Sequence, residues 1–133
     1  MADKVVKLRA LRPGSQVEVE GLIPHGCKRF NVNLGKDPKN LVIHFDVRFD
    51  HLGDQRKIVM NSMKDRVFGN EQKEGFFPFQ MGSDTKISFT FDKDKIIIKL
   101  PSGGPLSFPI RFPITTITFV SVEELETKSI TLN

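Results

Sequence analysis

The stretch Leu41-Val42-Ile43-His44-Phe45-Asp46-Val47-Arg48-Phe49 alternates apolar and polar residues from Ile43 onward. In a β-strand successive side chains point to opposite faces. Leu41, Ile43, Phe45, Val47 and Phe49 are therefore expected on a core face. His44, Asp46 and Arg48 share the other, about 7 Å from one to the next. An imidazole, a carboxylate and a guanidinium in one row present donors and acceptors at fixed spacing, which suits a polyhydroxyl ligand whose groups do both. A solvated polar face is also the ordinary outer surface of an antiparallel sheet. The row is thus a candidate binding site on its residue types alone.

Other chemistries fit the sequence less well. His44 and Asp46, with Asp50 or His51 nearby, could suggest a metal site, but Arg48 in their midst opposes a cation, and no metal or other cofactor is expected. A paired-carboxylate glycosidase needs two acids across a cleft, which sequence spacing does not establish. Gly103-Gly104 is flanked by prolines and is expected to be a turn, not a phosphate cradle. Cys27 is the single cysteine, so neither an intrachain disulfide nor a cysteine-based zinc site can form. His25 and Cys27 are expected on one face of a strand, with the thiol at the surface and no third group to orient a nucleophile.

The elements that must hold the row are strands. Alternation of period two marks Gln16–Leu22, Lys28–Leu34, Leu41–Phe49, Lys57–Ser62, Thr85–Phe91, Asp94–Leu100, Ile114–Val122 and Lys128–Leu132, and no helical apolar period is sustained. Turn chemistry separates them, as at Gly35-Lys36-Asp37-Pro38, Gly53-Asp54 and Met81-Gly82-Ser83-Asp84. Many short strands at this density predict an all-β, two-sheet antiparallel sandwich or barrel, and the 133 residues are expected to form one domain over 1–133. Twelve Phe with no Trp and no Tyr suit a packed core better than a stacking platform for nucleic acid. The net charge of +4 is mild, and the basic residues interleave with acids, so no nucleic-acid partner is expected. No apolar run approaches the ~20 residues of a membrane helix, and Lys4, Lys7 and Arg9 interrupt the start. Neither membrane insertion nor a secretory leader is expected, which predicts a protein made in the cytosol.

Several segments together carry a resemblance. Asn33-Leu34-Gly35-Lys36-Asp37, His44-Phe45-Asp46-Val47-Arg48-Phe49, Gly53-Asp54, Ile58-Val59-Met60-Asn61-Ser62, Phe68-Gly69-Asn70-Glu71-Gln72-Lys73 and Phe77-Pro78-Phe79 are similar to those of galectins of the single-domain prototype kind, over nearly the whole chain. The resemblance implies a jelly-roll-like sandwich and a β-galactoside-binding lectin that needs no metal and is not an enzyme. It implies a cytoplasmic protein with unconventional export to the extracellular space, glycans and glycoproteins as partners, and a homodimer. Val5, Val6 and Leu8, with the Ile130–Leu132 end, supply apolar edge material for such pairing.

The sugar row of that family is His-x-Asn-x-Arg, followed by an Asn and then Trp-x-x-Glu-x-Arg. His44, Arg48, Asn61 and Glu71 match it, while Asp46, Phe68 and Lys73 stand where Asn, Trp and Arg are usual. The resemblance implies that all seven positions form the carbohydrate site on one concave face. An ionised Asp46 accepts only, where an amide also donates. Phe68 keeps a π face but less area, and Lys73 keeps charge without the two-pronged fork. Weaker binding of β-galactosides is expected, or a shift toward another hexose such as mannose. The alternative is a galectin-like structural or protein-interaction module with little sugar binding.

Overall fold

The computed structural model of the chain describes residues 4–113 and 117–133, and the side chains of all of these except residues 8–11. The strands are β1 (Lys4–Leu11), β2 (Gln16–Leu22), β3 (Arg29–Asp37), β4 (Asn40–His51), β5 (Asp54–Lys64), β6 (Val67–Phe68), β7 (Gln72–Glu74), β8 (Asp84–Phe91), β9 (Lys95–Lys99), β10 (Leu106–Pro109), β11 (Ile117–Glu123) and β12 (Glu126–Leu132). One seven-stranded sheet runs β1-β11-β3-β4-β5-β6, with β7 also pairing β5, and a five-stranded sheet runs β10-β9-β8-β2-β12. The pairings are antiparallel throughout.

The alternating strands landed where their periodicity placed them. Val17 and Val19 of β2 and Ile87, Phe89 and Phe91 of β8 are buried, and so are Phe30, Val32 and Leu34 of β3. β8 and β9 form the expected hairpin, with Phe91 opposite Ile96. β5 is longer than the stretch read for it. β1, β6, β7 and β10 carry too little alternation to be read as strands at all. The start of the strand expected from Ile114 lies outside the described residues, and β11 is described from Ile117. Between the sheets the phenylalanines interlock edge to face. Phe45 of β4 meets Phe89 of β8 at 5.4 Å and 84°, and Phe30 meets Phe79 at 5.5 Å and 83°. Edge-to-face pairs set positive ring edges against negative faces, which stabilises each contact beyond its buried area.

Two local irregularities shape the site. The first is a bulge on β4, where the register slips between Leu41 and His44 against β5 and between Gly35 and Leu34 against β3. Val42 and Ile43 consequently both enter the core, while Leu41 lines a cavity together with His44. Strict parity had put Leu41 in the core, and the bulge overturns that expectation, because an extra residue inverts the alternation on its far side. Gly35 permits the bulge, since a Cβ there would collide with the backbone of Asn40 and Leu41. The second is the two-residue hairpin between β4 and β5, with positive φ at both Leu52 and Gly53. This turn matches the strand twist and returns Asp54 opposite His51.

Candidate functional site

β4 sits between β3 and β5 in the larger sheet, and its outward row is flanked by both. His44 lies opposite Asn33 and Asn61, Asp46 opposite Asn31, and Arg48 opposite Arg29. The row is continuous with the residues that follow β5. His44 stands 5.2 Å from the ring of Phe68, and Arg48 reaches Asp54 at 2.7 Å and Glu71 at 3.7 Å. Lys73 bonds Asp54 at 3.0 Å and lies 3.8 Å from Glu71. The structure therefore gathers His44, Asp46, Arg48, Asn61, Phe68, Glu71 and Lys73 on one face of the seven-stranded sheet.

Their roles are unequal. Asp46 is 0% exposed, with Oδ1 accepting from Arg29 Nε at 3.0 Å and Oδ2 from Arg48 Nε at 2.8 Å. Both oxygens are taken by guanidinium groups, so the carboxylate works as a strut beneath the surface. Such charge-assisted bonds are about twice as strong as neutral ones. Burial opposes the charge of Arg48, but Asp46, Asp54 and Glu71 outweigh it and hold its pKa above the ordinary arginine value. The Lys73 ammonium, aided by Arg48, holds Asp54 below the usual carboxylate range. Lys73 pairs with Asp54 and Glu71, while the partners of Asp46 are Arg29 and Arg48.

His44 is set by its neighbours. The Asn33 amide donates to Asn31 Oδ1 at 3.0 Å and to Ser121 Oγ at 2.9 Å, which leaves Asn33 Oδ1 as the acceptor at 2.5 Å from His44 Nδ1. The imidazole must then donate from Nδ1. Burial pushes its pKa down, with Asp46 acting in the opposite sense, so the ring is neutral at pH 7 and Nε2 is a bare acceptor. A ligand hydroxyl can donate to it.

Asn61 is equally constrained. Its Oδ1 accepts from Ser62 N at 2.8 Å and from Arg111 Nη1 at 3.1 Å, and its Nδ2 donates to Gly69 O at 2.9 Å. One amide hydrogen is left for a ligand. Arg111 is itself stacked on Phe108, 4.6 Å from the ring centroid. Phe68 is 49% exposed on a two-residue strand, an open aromatic face beside the row. The arrangement can present an acceptor, guanidinium and ammonium donors, an amide donor and an apolar ring to one ligand with hydroxyls on one face and C–H groups on another.

Sequence reasoning did not place Arg29, Asn31, Asn33, Asp54 or Arg111 in the site, although Asn33 and Asp54 stand in segments that carry the resemblance. The first three were legible in principle, because burying Phe30, Val32 and Leu34 turns Arg29, Asn31 and Asn33 outward beside β4. Arg111 has no such signal, since it arrives from the segment after β10. Cys27 corrects another expectation. Residues 24–27 form a turn closed by Cys27 N to Pro24 O at 3.3 Å, not a strand, and the thiol is buried rather than at the surface. Burial pushes its pKa up, which keeps it in the inert thiol form. Among the described residues no cluster of three or more His, Cys, Asp and Glu could hold a metal ion.

A two-sheet jelly-roll-like sandwich with this polar row and open aromatic ring has the form of a glycan-binding lectin, and the comparisons agree. The sequence matches the galactoside-binding lectin family over residues 4–131. It is 49% identical over 121 residues to galectin-1 of Rhinella arenarum, covering 91% of this chain and 90% of that one. The fold superposes on the complex of toad ovary galectin with thio-digalactose with a TM-score of 0.97 at 46% identity, covering 100% and 99% of the two chains. It superposes on a homodimeric agglutinin from chicken liver with a TM-score of 0.95 at 35% identity, covering 99% and 100%. The chain belongs to the galectin family.

Proposed function

We propose that this galectin binds a β-galactoside without a metal, using His44, Arg48, Asn61 and Glu71 for hydroxyls and Phe68 for the apolar side of the pyranose. The observation that carries this reading is the fixed tautomer of His44 beside the open Phe68 ring, an acceptor-bearing ring and a stacking ring whose centroids are 5.2 Å apart. Binding is weaker than in a His-x-Asn-x-Arg site, or redirected toward a hexose such as mannose. Asp46 spends both oxygens on Arg29 and Arg48 and offers nothing to a sugar. Phe68 has less area than an indole, and Lys73 lacks the fork. A neutral amide bond to a hydroxyl is worth about 0.5–1.5 kcal/mol and a charge-assisted one about 1.5–3, so losing one of each lowers affinity by roughly thirtyfold or more. Its partners are galactose- or mannose-bearing glycans and glycoproteins, crosslinked by a homodimer with two sites.

Calorimetric titration of lactose and mannose into this protein and into the triple variant Asp46→Asn, Phe68→Trp, Lys73→Arg tests the reading. The triple variant is expected to bind lactose more tightly. Equal lactose affinity in the two would show that the three residues are neutral. No binding of either sugar to either form would instead favour a protein-interaction module.

A further inference from the structure

Basic residues are scattered along the sequence, but the fold gathers Lys7, Lys36, Lys39, Lys64 and Arg66 at one end of the seven-stranded sheet. Lys36 closes β3 and Lys39 follows it in the turn to β4, while Lys64 closes β5 and Arg66 follows it in the turn to β6. Lys7 of β1 lines one cleft together with Lys36. The two turns are latched to each other. Arg66 N donates to Lys39 O at 3.0 Å, and Asp65 N donates to Asn40 Oδ1 at 3.0 Å. Asp65 and Arg66 take positive φ, 51° and 71°, in a two-residue hairpin turn between Lys64 and Val67. Thr118 Oγ1 fixes the other side by donating to Lys36 O at 3.0 Å. All five cationic side chains are exposed, and none forms an ion pair among the described residues. Asp37 and Asp65 stand among them, but Asp37 Oδ1 is already taken by Lys39 N and Asn40 Nδ2. Positive charge is left in excess on a rigid frame.

These cations run across the strands rather than along one. The order β1-β11-β3-β4-β5-β6 puts Lys7 at one border and Arg66 at the other, and strands about 4.8 Å apart spread the row over about 24 Å. A row of that length suits an extended chain with repeated charge better than one small anion. Phe68, the nearest exposed ring, belongs to the sugar row, so the cations have no stacking platform for bases between them. Val5 and Val67, exposed nearby, give little apolar surface to enter a bilayer. We propose that this end of the sheet is a second binding surface, separate from the His44-Asp46-Arg48 row, and takes a sulfated polysaccharide chain. Lysine ammonium groups act as point charges that meet sulfate esters spaced along such a chain without demanding one orientation. Turns already latched in place lose little freedom when the chain binds. The surface stands on its own cations and does not depend on the galactoside reading.

The test is calorimetry on the whole protein with a heparin-derived dodecasaccharide, its desulfated counterpart, a single-stranded RNA oligonucleotide and vesicles containing phosphatidylserine, each with and without saturating lactose. The sulfated chain is expected to bind, to keep its affinity when lactose is present, and to weaken about tenfold or more between about 50 and 200 mM salt, as a polyanion that releases counterions does. The double variants Lys36→Gln with Lys39→Gln, and Lys64→Gln with Arg66→Gln, should each weaken it about fivefold or more. Lys93→Gln with Lys95→Gln removes the same charge from the β8–β9 turn of the other sheet and should change it less than twofold. All of these side chains are exposed, so the variants fold. Failure of the sulfated chain to bind at the lower salt overturns the surface and leaves the galactoside reading untouched. Displacement by lactose would place the chain on the polar row and also overturns it. So does equal weakening by the Lys93 and Lys95 pair, equal binding of the desulfated chain, or tighter binding of the RNA or the vesicles.

Discussion

Asp46 is the residue on which the chemistry of the row turns, because it is buried and bonded to two guanidinium groups at once. Replacing it by Asn leaves Arg29 and Arg48 without their shared anion. Breaking one side of a buried ion pair costs about 3–5 kcal/mol when the remaining charge is left alone, but Arg48 keeps Asp54 and Arg29 is partly exposed. The expected loss for Asp46→Asn is therefore smaller, about 1–3 kcal/mol, measured by chemical denaturation with an unchanged m-value. A substitution that leaves stability unaltered would show that the two bonds contribute nothing net. His44 makes the site sensitive to pH. Its folded pKa lies below the ordinary value of 6.5, so below that value the unfolded chain takes up the proton first and stability falls with falling pH. Sugar affinity should be level above pH 6.5 and decline on acidification through the depressed pKa, because a protonated Nε2 cannot accept a hydroxyl hydrogen. Asp54 stays ionised across that window, since its own pKa lies below 3.8. Lactose titrations between pH 7.5 and 4.5 check this, and an affinity that rises on acidification would remove His44 Nε2 from the acceptor role.

At the level of elements, the site depends on how β4 enters and leaves the sheet. It enters through the bulge at Leu41–Ile43, which Gly35 makes room for, and leaves through the hairpin at Leu52-Gly53. Leu52 sits at φ 50° with its side chain 78% exposed, a left-handed conformation in which a Cβ-bearing, γ-branched residue is strained and gains no burial. Asn tolerates that conformation and is favoured before Gly in such turns. Leu52→Asn is expected to stabilise the protein by about 0.5–1.5 kcal/mol, seen as a rise in Tm of several degrees, while Asp54 stays in reach of Arg48 and Lys73. A lower Tm would mean that Leu52 makes a stabilising contact outweighing its backbone strain.

For the molecule as a whole, the first and last described strands lie at the sheet edges. β1 borders the larger sheet and β12 the smaller, each with one side unpaired among the described residues. Val5 and Leu132 are exposed on these strands, Val6 is half-buried, Ile130 leans on the core, and the side chain of Leu8 lies outside the described residues. Unpaired strand edges with apolar residues favour pairing with a second copy. Sedimentation is expected to show a dimer at tens of micromolar, a scale set by roughly 6–7 kcal/mol of association free energy. Val5→Asp, which puts like charges at the two-fold related edge, should shift the population to monomer without lowering Tm. A protein that sediments only as monomer at that concentration has no such interface.

Much of this was already determined by the order of residue types. Alternation is local, so Phe45, Phe89 and the outward His44-Asp46-Arg48 row followed from the two-residue repeat alone, and the turn residues between runs dictated an all-β chain. The resemblance then marked Asn61, Phe68, Glu71 and Lys73, which no periodicity relates to β4. Tertiary structure decided what local rules cannot carry. The bulge reversed the parity of Leu41, because register is a property of two strands and not of one. Asp46 became a sealed strut only because β3 lays Arg29 beside it across the sheet. Arg111 reached Asn61 across a sequence separation of 50 residues, a proximity that only packing creates. Hydrogen-bond partners across strands depend on which strands become neighbours, and that is settled by burying one face of each sheet against the other.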